Sequence, residues 1–399
     1  MTASTMTQYD DLYTADELEW NERARRFAAD RLEPLSGDID RGGLCRDLMR
    51  ELGISGLLGT MLPTEYGGAG LNLSHNALIS EEISAVAPSL GAMRGVSDIF
   101  VGIPLAKYAT DEQRWAWLRP MVDGSASYSL GITEPVAGSD AAGIQTVARR
   151  DGGAYVLNGV KHYISGAAEN DAVLLYVATS PAAAPHHRFS AFLVPFSTPG
   201  ITITPIETTG LRGYSHARIE FEDAVVPAER MVGAEGQGFE IMMYGLVPER
   251  VDIAARALGC ARRALQEATG HALTRRQFGQ EISRFQGVSH LVADMRTWTE
   301  AARLLVLRAA RLHDAGRPCE QQAAMAKLVA TERGFAVCDG AMQILGARGY
   351  STGHAVDLMF RDIRALRFGG GTDQIMRHVI QREEFVSLKR ADAETGPRA

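Results

Sequence analysis

The spacing of apolar residues changes twice along this chain, and that change restricts the fold more than any other feature of the sequence. Up to about residue 123, apolar side chains recur at helical intervals, as at Leu48 and Leu52. From about residue 239 the helical period returns, as at Val251 and Ala254. The stretch between holds several short runs of strand-forming residues without helices between them. This order predicts an α+β fold with an N-terminal all-α domain, a middle β domain and a C-terminal helical domain.

The length of 399 residues fits two or three folding units, and we expect three domains at residues 1–125, 126–235 and 236–399. In the middle domain we expect mainly antiparallel strands that form a small sandwich or barrel. The strands predicted from composition lie at residues 172–178, 189–195, 201–206 and 217–221.

Two local signals place turns and helix ends. Asn158-Gly159 stands between strand formers, which predicts a hairpin turn at that dipeptide. Pro248 is tolerated in the first turn of a helix, where its missing N–H costs nothing, so we predict a helix that begins near it. Further long helices are predicted at residues 285–315, 320–345 and 372–386.

Composition argues against several classes of protein. The net charge is −7 with both signs interspersed, and no basic stripe of the kind that binds nucleic acid is present. No run of eighteen apolar residues occurs, so no membrane span is expected. The first twenty residues carry Asp and Glu but no Lys or Arg, unlike a signal peptide. The four cysteines are widely separated, which predicts free thiols in a reducing cytoplasm.

Generic cofactor and catalytic motifs are missing from the sequence. There is no GxGxxG after a strand, no P-loop, no HExxH and no GxSxG. The ten histidines do not cluster at the spacing of metal ligands, so no metal site is predicted.

Four longer stretches carry a family resemblance. They are residues 131–140 (GITEPVAGSD), 157–166 (LNGVKHYISG), 275–286 (RRQFG followed by FQ) and 343–375, which contains QILG, GY, RD and GTDQI. In their order and spacing they resemble the signature stretches of the acyl-CoA dehydrogenase family, and the resemblance extends from about residue 15 to 386. It implies a helical domain, a β domain and a C-terminal four-helix bundle. It also implies an FAD cofactor between domains and between subunits, usually in a homotetramer, with a dimer as the alternative.

The resemblance also implies cofactor contacts, each carried over from a matching motif position. The isoalloxazine ring would be lined by Ile132, Thr133, Tyr163 and Ser165, and Gly138 and Ser139 would let the pyrophosphate and thioester tail pass close to the backbone. A neighbouring subunit would hold the FAD pyrophosphate and adenine. The residues implied for that and the remaining cofactor contacts are Arg275, Phe278, Gln286, Gln343, Gly346, Thr372 and Gln374.

The position of the catalytic base departs from the commonest family pattern. The family reaction removes an α proton with a carboxylate, and in many members that Glu directly precedes the Gly-Thr of the last motif. Gly370 stands there in this chain, whereas Glu249-Arg250 matches the pair that supplies the base in isovaleryl- and long-chain-type members. We therefore predict Glu249 as the base. A helix N-terminus would lower its pKa and a dry acyl pocket would raise it, and the sequence does not decide between them.

Five residues are expected around the thioester. The backbone N–H of Gly370 would donate to the thioester carbonyl, since a glycine keeps its N–H. Arg250, Ser139, Gly369 and Gly371 would line the substrate. The missing side chain at position 370 is expected to leave extra room near the α and β carbons of the acyl chain.

The leading functional hypothesis is α,β-dehydrogenation of a short or branched acyl-CoA, with electrons passed to an electron-transfer flavoprotein. A second hypothesis replaces CoA with an acyl carrier protein in a biosynthetic pathway. A third keeps the flavin but changes the chemistry, to an enoyl-thioester reductase, an oxidase or a desulfinase. A fourth is a flavin-binding stress protein without turnover.

Overall fold

A computed structural model describes residues 11–395 of the chain, which form helices, then a sheet, then helices. The N-terminal helices are α1 (Ala15–Phe27), α2 (Ser36–Arg41), α3 (Cys45–Ile54), α4 (Leu73–Ser84), α5 (Pro88–Arg94), α6 (Ile103–Tyr108) and α7 (Asp111–Val122). π-Helical turns at Ala28–Leu32 and Gly95–Gly102 interrupt the series. Every residue of α4 is buried. A helix that is buried on all sides lies inside the molecule, and α4 packs against the long helix that opens the C-terminal part.

The middle of the chain is a sheet of eight strands. They are β1 (Tyr128–Gly131), β2 (Val147–Asp151), β3 (Ala154–Ser165), β4 (Ala172–Ala178), β5 (Phe189–Pro195), β6 (Ile201–Ile206), β7 (His216–Pro227) and β8 (Met231–Val232). The strand order is β6-β7-β3-β2-β4-β5-β8, with β1 paired to β4. The β1–β4 and β2–β4 pairs are parallel and the others antiparallel, so the prediction of mainly antiparallel strands is confirmed.

Strand β4 is covered on both faces. Val173 and Leu175 point into a core that the sheet closes around itself, together with Leu157. Leu174 and Tyr176 point the other way, into a second core shared with the N-terminal helices. The sheet is thereby fixed against the helical part, and the loops at its edge are held in place relative to the helices.

The hairpin predicted at Asn158-Gly159 is wrong. The two-residue turn lies at residues 152–153, where Asp151 pairs with Ala154, and β3 continues through Asn158-Gly159 without reversing. The dipeptide lies opposite a bulge in β7, where Glu222 and Asp223 face Asn158 alone, seen as a register shift between Leu157 and Gly159. A Cβ on Gly159, whose φ is +142°, would lie 2.7 Å from the Cα of Thr146. The glycine is needed there for the close approach of another strand, and no turn is made.

The C-terminal part is helical. Its helices are α8 (Gly238–Thr274), α9 (Gln286–Asp314), α10 (Glu320–Leu345), α11 (Ala347–Tyr350), α12 (Ala355–Leu366) and α13 (Asp373–Thr395). A small hairpin of β9 (Arg276–Gln277) and β10 (Gln280–Glu281) separates α8 from α9. The long helices α8, α9, α10 and α13 form the bundle, with α8 and α10 in the most extensive contact. Buried small residues such as Ala254, Ala257, Ala261 and Ala264 let the helices approach closely along α8. Within residues 11–395, no helix is long and apolar enough to cross a bilayer.

The helix start predicted near Pro248 is also wrong. Helix α8 begins at Gly238, and Pro248 lies in its interior. The proline removes one intrahelical hydrogen bond, a loss that the extensive burial of this helix tolerates. Glu249 therefore does not lie at a helix N-terminus, and the pKa-lowering effect expected from such a position is absent.

Candidate active site

Glu249 is a buried carboxylate in the middle of α8, with 3% of its surface exposed. Its Oε1 accepts a hydrogen bond from the Arg256 guanidinium at 3.4 Å. Its Oε2 is buried and has no hydrogen-bond partner among residues 11–395. A buried oxygen without a partner is costly, which makes this atom a candidate acceptor for a ligand group.

The surroundings of Glu249 raise the pKa of its carboxyl group above neutral pH. Burial raises the pKa of Glu249 to about 8, and Asp252 adds to the rise, while Arg256 and Lys327 oppose it. Arg256 is shared between Glu249 and Asp252, because its Nε lies 2.9 Å from a carboxylate oxygen of Asp252. One cation divided between two carboxylates cannot offset the loss of water around Glu249.

Gly370 lies in the turn after α12, against Glu249. A Cβ built on Gly370 would lie 3.8 Å from the Cγ of Glu249. The two positions that the sequence analysis treats as alternatives for the base therefore converge on one place. In the described part of the chain, the N–H of Gly370 donates to no acceptor. A buried carboxylate and a backbone N–H that donates to no described acceptor thus lie close together.

The extra room expected at position 370 is not there. Ile253, one turn after Glu249 on α8, fills it, because its Cδ1 would lie 2.6 Å from a Cβ at position 370. A sequence-based argument about a missing side chain misses this compensation, since the filling residue is more than a hundred positions away.

The predicted flavin residues of the middle domain gather at one edge of the sheet. The N–H of His162 donates to the carbonyl of Thr133 at 2.8 Å, which ties the loop after β1 to β3. Tyr163 has a φ of +58° and 59% of its surface is exposed. An uncovered aromatic ring on an unfavourable backbone conformation suits a residue that serves a ligand.

Free hydroxyl groups accompany that ring. Ser165 ends β3, and its carbonyl accepts a hydrogen bond from Ser129 at 2.7 Å. The hydroxyls of Thr133 and Ser165 donate to no other described residue, and both side chains are half-buried. Ile132 is half-buried beside them, and Gly138 and Ser139 are exposed with no atom within 4 Å of a Cβ at Gly138. These groups fit the polar edge, the flat ring and the phosphates of a flavin dinucleotide.

A buried ion pair that the sequence analysis did not assign holds this loop. Lys161 Nζ lies 2.8 Å from Glu134 Oε1 and 2.9 Å from the carbonyl of Ile132, and both charged side chains are buried. Glu134 also accepts the backbone N–H groups of Gln145 and Thr146. The available signal was that both residues belong to the matching motifs, next to the predicted flavin contacts.

The remaining predicted cofactor residues lie elsewhere. Arg275 follows Glu249 by 26 residues along α8, which at 1.5 Å per residue places it about 39 Å away. Phe278, in the β9–β10 turn, is 93% exposed. Gln286 and Gln343, at the start of α9 and near the end of α10, are also exposed, and the exposed Gly346 follows α10. One chain does not bring this group to Glu249.

The predicted cofactor and substrate residues around the turn after α12 differ in their contacts and exposure. Thr372 accepts the N–H of Ile375 at 3.2 Å and so caps α13, while Gln374 is exposed in the first turn of that helix. Gly369 is exposed, and Gly371, with a φ of +105°, packs against Met376.

Arg250 is buried beside Glu249, and its Nε has no hydrogen-bond partner within residues 11–395. Burial lowers the pKa of Arg250 to about 10, with Arg382 adding to the fall and Glu320 opposing it. These neighbours place the guanidinium toward α10 and α13.

Family models match along almost the whole chain. The matches are the N-terminal domain of acyl-CoA dehydrogenases at residues 14–125, the middle domain at 129–224 and the C-terminal domain at 236–385.

Individual relatives and structures agree with the family models. The chain is 38% identical to a probable acyl-CoA dehydrogenase of Bacillus subtilis over 93% of this chain and 98% of that protein. It is also 38% identical to the human mitochondrial short-chain specific acyl-CoA dehydrogenase, over 89% of this chain and 87% of that protein. The solved structure of butyryl-CoA dehydrogenase from Megasphaera elsdenii matches with a TM-score of 0.89 and 31% identity, covering 94% of this chain and 99% of that one.

Proposed function

The chain belongs to the acyl-CoA dehydrogenase family, and on that premise we propose that Glu249 is the base of an FAD-dependent acyl-CoA dehydrogenase. The observation that carries this proposal is the convergence of a buried carboxylate and an unpaired backbone N–H. Glu249 and Gly370 come from separate elements, α8 and the turn after α12, yet lie within van der Waals reach. A base without such a donor would remove the α proton of a thioester far more slowly.

The two groups act on neighbouring atoms of the acyl thioester. Glu249 takes the α proton onto the oxygen that has no partner. As negative charge develops on the thioester carbonyl, the N–H of Gly370 stabilises it by donating a hydrogen bond. FAD, when bound, supplies the acceptor for the β hydride. Glu249 is uncharged in much of the free enzyme at neutral pH, because its pKa is raised to about 8.

A short acyl-CoA is the substrate that we propose within this family. Support comes from the short-chain specific human relative and from the butyryl-CoA dehydrogenase structure. Ile253 narrows the space beside Glu249 and Gly370, which agrees with a small acyl group. Ser139, Arg250, Gly369 and Gly371 remain proposed substrate contacts.

The partners of the enzyme are proposed from family membership and from the position of the distant residues. Arg275, Phe278, Gln286, Gln343 and Gly346 would serve the FAD of a second subunit, as part of a homotetramer or a dimer. An electron-transfer flavoprotein would take the electrons. The four cysteines are free and buried, which supports a reducing compartment such as the cytoplasm.

A panel of saturated acyl-CoA thioesters tests this function. Under anaerobic conditions, the flavin of the purified protein should lose its visible absorbance with short thioesters, straight or branched. A flavin that no acyl-CoA bleaches would overturn the proposal.

The same assay separates the alternatives. Faster bleaching by an acyl group on a carrier protein than on CoA would indicate the biosynthetic enzyme. Rapid reoxidation of the reduced flavin by oxygen would indicate an oxidase, and oxidation of the reduced flavin by an enoyl-CoA at high yield would indicate a reductase.

A further inference from the structure

Lys327, on α10, is a fully buried cation that none of the motifs explains. Its side chain has 0% exposure. In the part of the chain that the structure describes, it forms no ion pair with a carboxylate within 4.0 Å. Its Nζ donates instead to two backbone carbonyls, those of Gly371 and of Arg367, the latter at 3.3 Å. Burying an ammonium whose hydrogen-bond partners are neutral is costly. The carboxylates of Asp373 and Glu249 offset this cost only in part, and Arg250 and Arg367 add to it, so the position needs a reason.

The two carbonyls lie on either side of Gly370. Arg367 is the residue after the end of α12, and Gly371 directly follows Gly370. The ammonium therefore joins the start of the turn to its end. It also lies at the C-terminal end of α12, where the helix dipole favours a positive charge.

This turn needs an outside restraint. Residues 369–371 are three consecutive glycines, and Gly370 and Gly371 have φ values of +61° and +105°. Glycine loses more conformational freedom on folding than other residues, so such a turn would sample many directions for its N–H groups. A hydrogen-bond donor that stabilises a developing oxyanion must be held in place beforehand.

We propose that Lys327 is a positioning residue that fixes the glycine turn, so that the N–H of Gly370 is aimed at the thioester carbonyl. This inference rests on the proposed function. Lys327 does not touch the acyl group; it acts through the carbonyls of Arg367 and Gly371. Its charge has a second effect, since it lowers the pKa of Glu249, while burial lowers the pKa of Lys327 itself to about 8.

A substrate analogue with sulfur in place of the β carbon tests the proposal without turnover. A 3-thiaacyl-CoA can give its α proton to Glu249 and form an enolate, but it has no β hydride to lose. The enolate stacked on oxidised flavin gives a long-wavelength charge-transfer band, and titrating that band with pH gives the apparent pKa of the bound ligand. That pKa reports how well the protein stabilises the oxyanion.

The variants are Lys327→Met, which keeps the length and removes the charge and donors, and Arg377→Met as a matched control. Arg377 lies close by on α13, where its guanidinium binds Glu332 and the carbonyl of Asp373 and donates to neither of the two carbonyls that Lys327 holds. We expect Lys327→Met to raise the apparent pKa of the bound analogue and to lower kcat about 10²-fold with a smaller change in KM. The acid limb of kcat/KM should also move to higher pH. Arg377→Met should behave as wild type in the pKa of the bound analogue, in kcat and in the acid limb of kcat/KM.

Two outcomes would overturn the proposal. One is a Lys327→Met protein with lower thermal stability but unchanged kcat and an unchanged pKa of the analogue, which would make Lys327 a structural residue only. The other is an Arg377→Met control in which the pKa of the analogue rises and kcat falls as much as in Lys327→Met. If Lys327→Met does not retain flavin, Lys327→Gln is measured in its place against the same two outcomes. If the wild type forms no charge-transfer band at all, the proposed function itself fails.

Discussion

At the scale of single residues, the site depends on removing water from one carboxylate. In the part of the chain that the structure describes, the carboxylate of Glu249 accepts one weak hydrogen bond, at 3.4 Å from Arg256, and Arg256 is held more closely by Asp252, at 2.9 Å. A base with a pKa near the working pH is the most effective one, and burial brings Glu249 into that range. The chain achieves this without a helix N-terminus, which the sequence had led us to expect.

The pH dependence follows from the sign of this shift. A base acts only in its deprotonated form, so kcat/KM should fall as pH drops below the raised pKa of Glu249, about 8. Between pH 6 and about 8 we expect kcat/KM to increase close to tenfold per pH unit and then to level off. Steady-state rates with a short acyl-CoA, measured across this pH range, test the predicted rise in kcat/KM. A flat profile below pH 7 would contradict the raised pKa.

The contact between Gly370 and Ile253 predicts a stability effect. In Gly370→Ala, a φ of +61° strains the new residue and its Cβ meets Ile253 at 2.6 Å. Gly316→Ala is the matched control, since its φ is +63° and no atom lies within 4 Å. Strain alone costs about 1–2 kcal/mol, so Gly370→Ala should lose clearly more than the control in urea unfolding. In the Ile253→Ala background the difference should shrink. Equal losses in the two glycine variants would rule out the steric contact.

At the scale of elements, the Lys161–Glu134 pair holds the loop after β1, which carries the proposed flavin contacts Ile132 and Thr133. Replacing Lys161 with Met leaves Glu134 buried and unpaired, which typically costs about 3–5 kcal/mol. We expect Lys161→Met to bind FAD more weakly, because the loop that carries Ile132 and Thr133 is released. Fluorescence titration of the apoprotein with FAD measures this affinity.

The double variant Lys161→Met/Glu134→Gln removes the stranded charge and serves as the control. It should recover part of the stability but not the full FAD affinity, since the ammonium no longer holds the carbonyl of Ile132. Wild-type affinity in both variants would show that the pair does not position the loop.

Much of the order of helices and strands could be predicted from the sequence, because the spacing of apolar residues and the local composition are properties of short segments. The strands at residues 172–178, 189–195 and 201–206 have the expected bounds, and α10 covers 320–345 as predicted. Asn158-Gly159 and Pro248 misled the prediction for one shared reason. Each is a local turn or helix-start signal that tertiary packing overrides, the first through the close approach of Thr146 and the second through burial of α8.

The site was only partly predictable. Glu249 and Gly370 could be singled out from the motifs, and the structure brings them together, although their catalytic roles stay predictions. Ile253 and Lys327 could not be assigned, because their importance comes from contacts with residues distant in sequence. The domain boundaries at 1–125, 126–235 and 236–399 likewise remain a proposal.

At the scale of the whole molecule, the length of α8 sets the distance between Glu249, the proposed base, and Arg275, a proposed FAD contact. It carries Glu249 near its first third and ends just before Arg275, about 39 Å further on. The exposed ring of Phe278 lies at that far end. Because continuous α-helix separates the two ends, we propose that the Arg275 end serves the FAD of a neighbouring subunit.

Mixed oligomers test this assignment. Glu249→Gln and Arg275→Ala subunits are each expected to have low activity as pure oligomers, the second at limiting FAD. If Arg275 serves a neighbour's site, unfolding and refolding the two together creates sites that have both an intact Glu249 and an intact Arg275. Activity should then exceed the sum of the separate samples. No gain on mixing, with hybrids shown by native mass spectrometry, would place Arg275 in its own subunit's site or outside the site.

The central claim concerns one side chain, and a single anaerobic mixing experiment tests it. Glu249→Gln protein with a full complement of FAD is mixed with the acyl-CoA that bleaches the wild-type flavin fastest. We expect bleaching to slow by about 10²–10⁴-fold while bound FAD is unchanged. Bleaching at a rate close to that of the wild type would show that the α proton goes to another group.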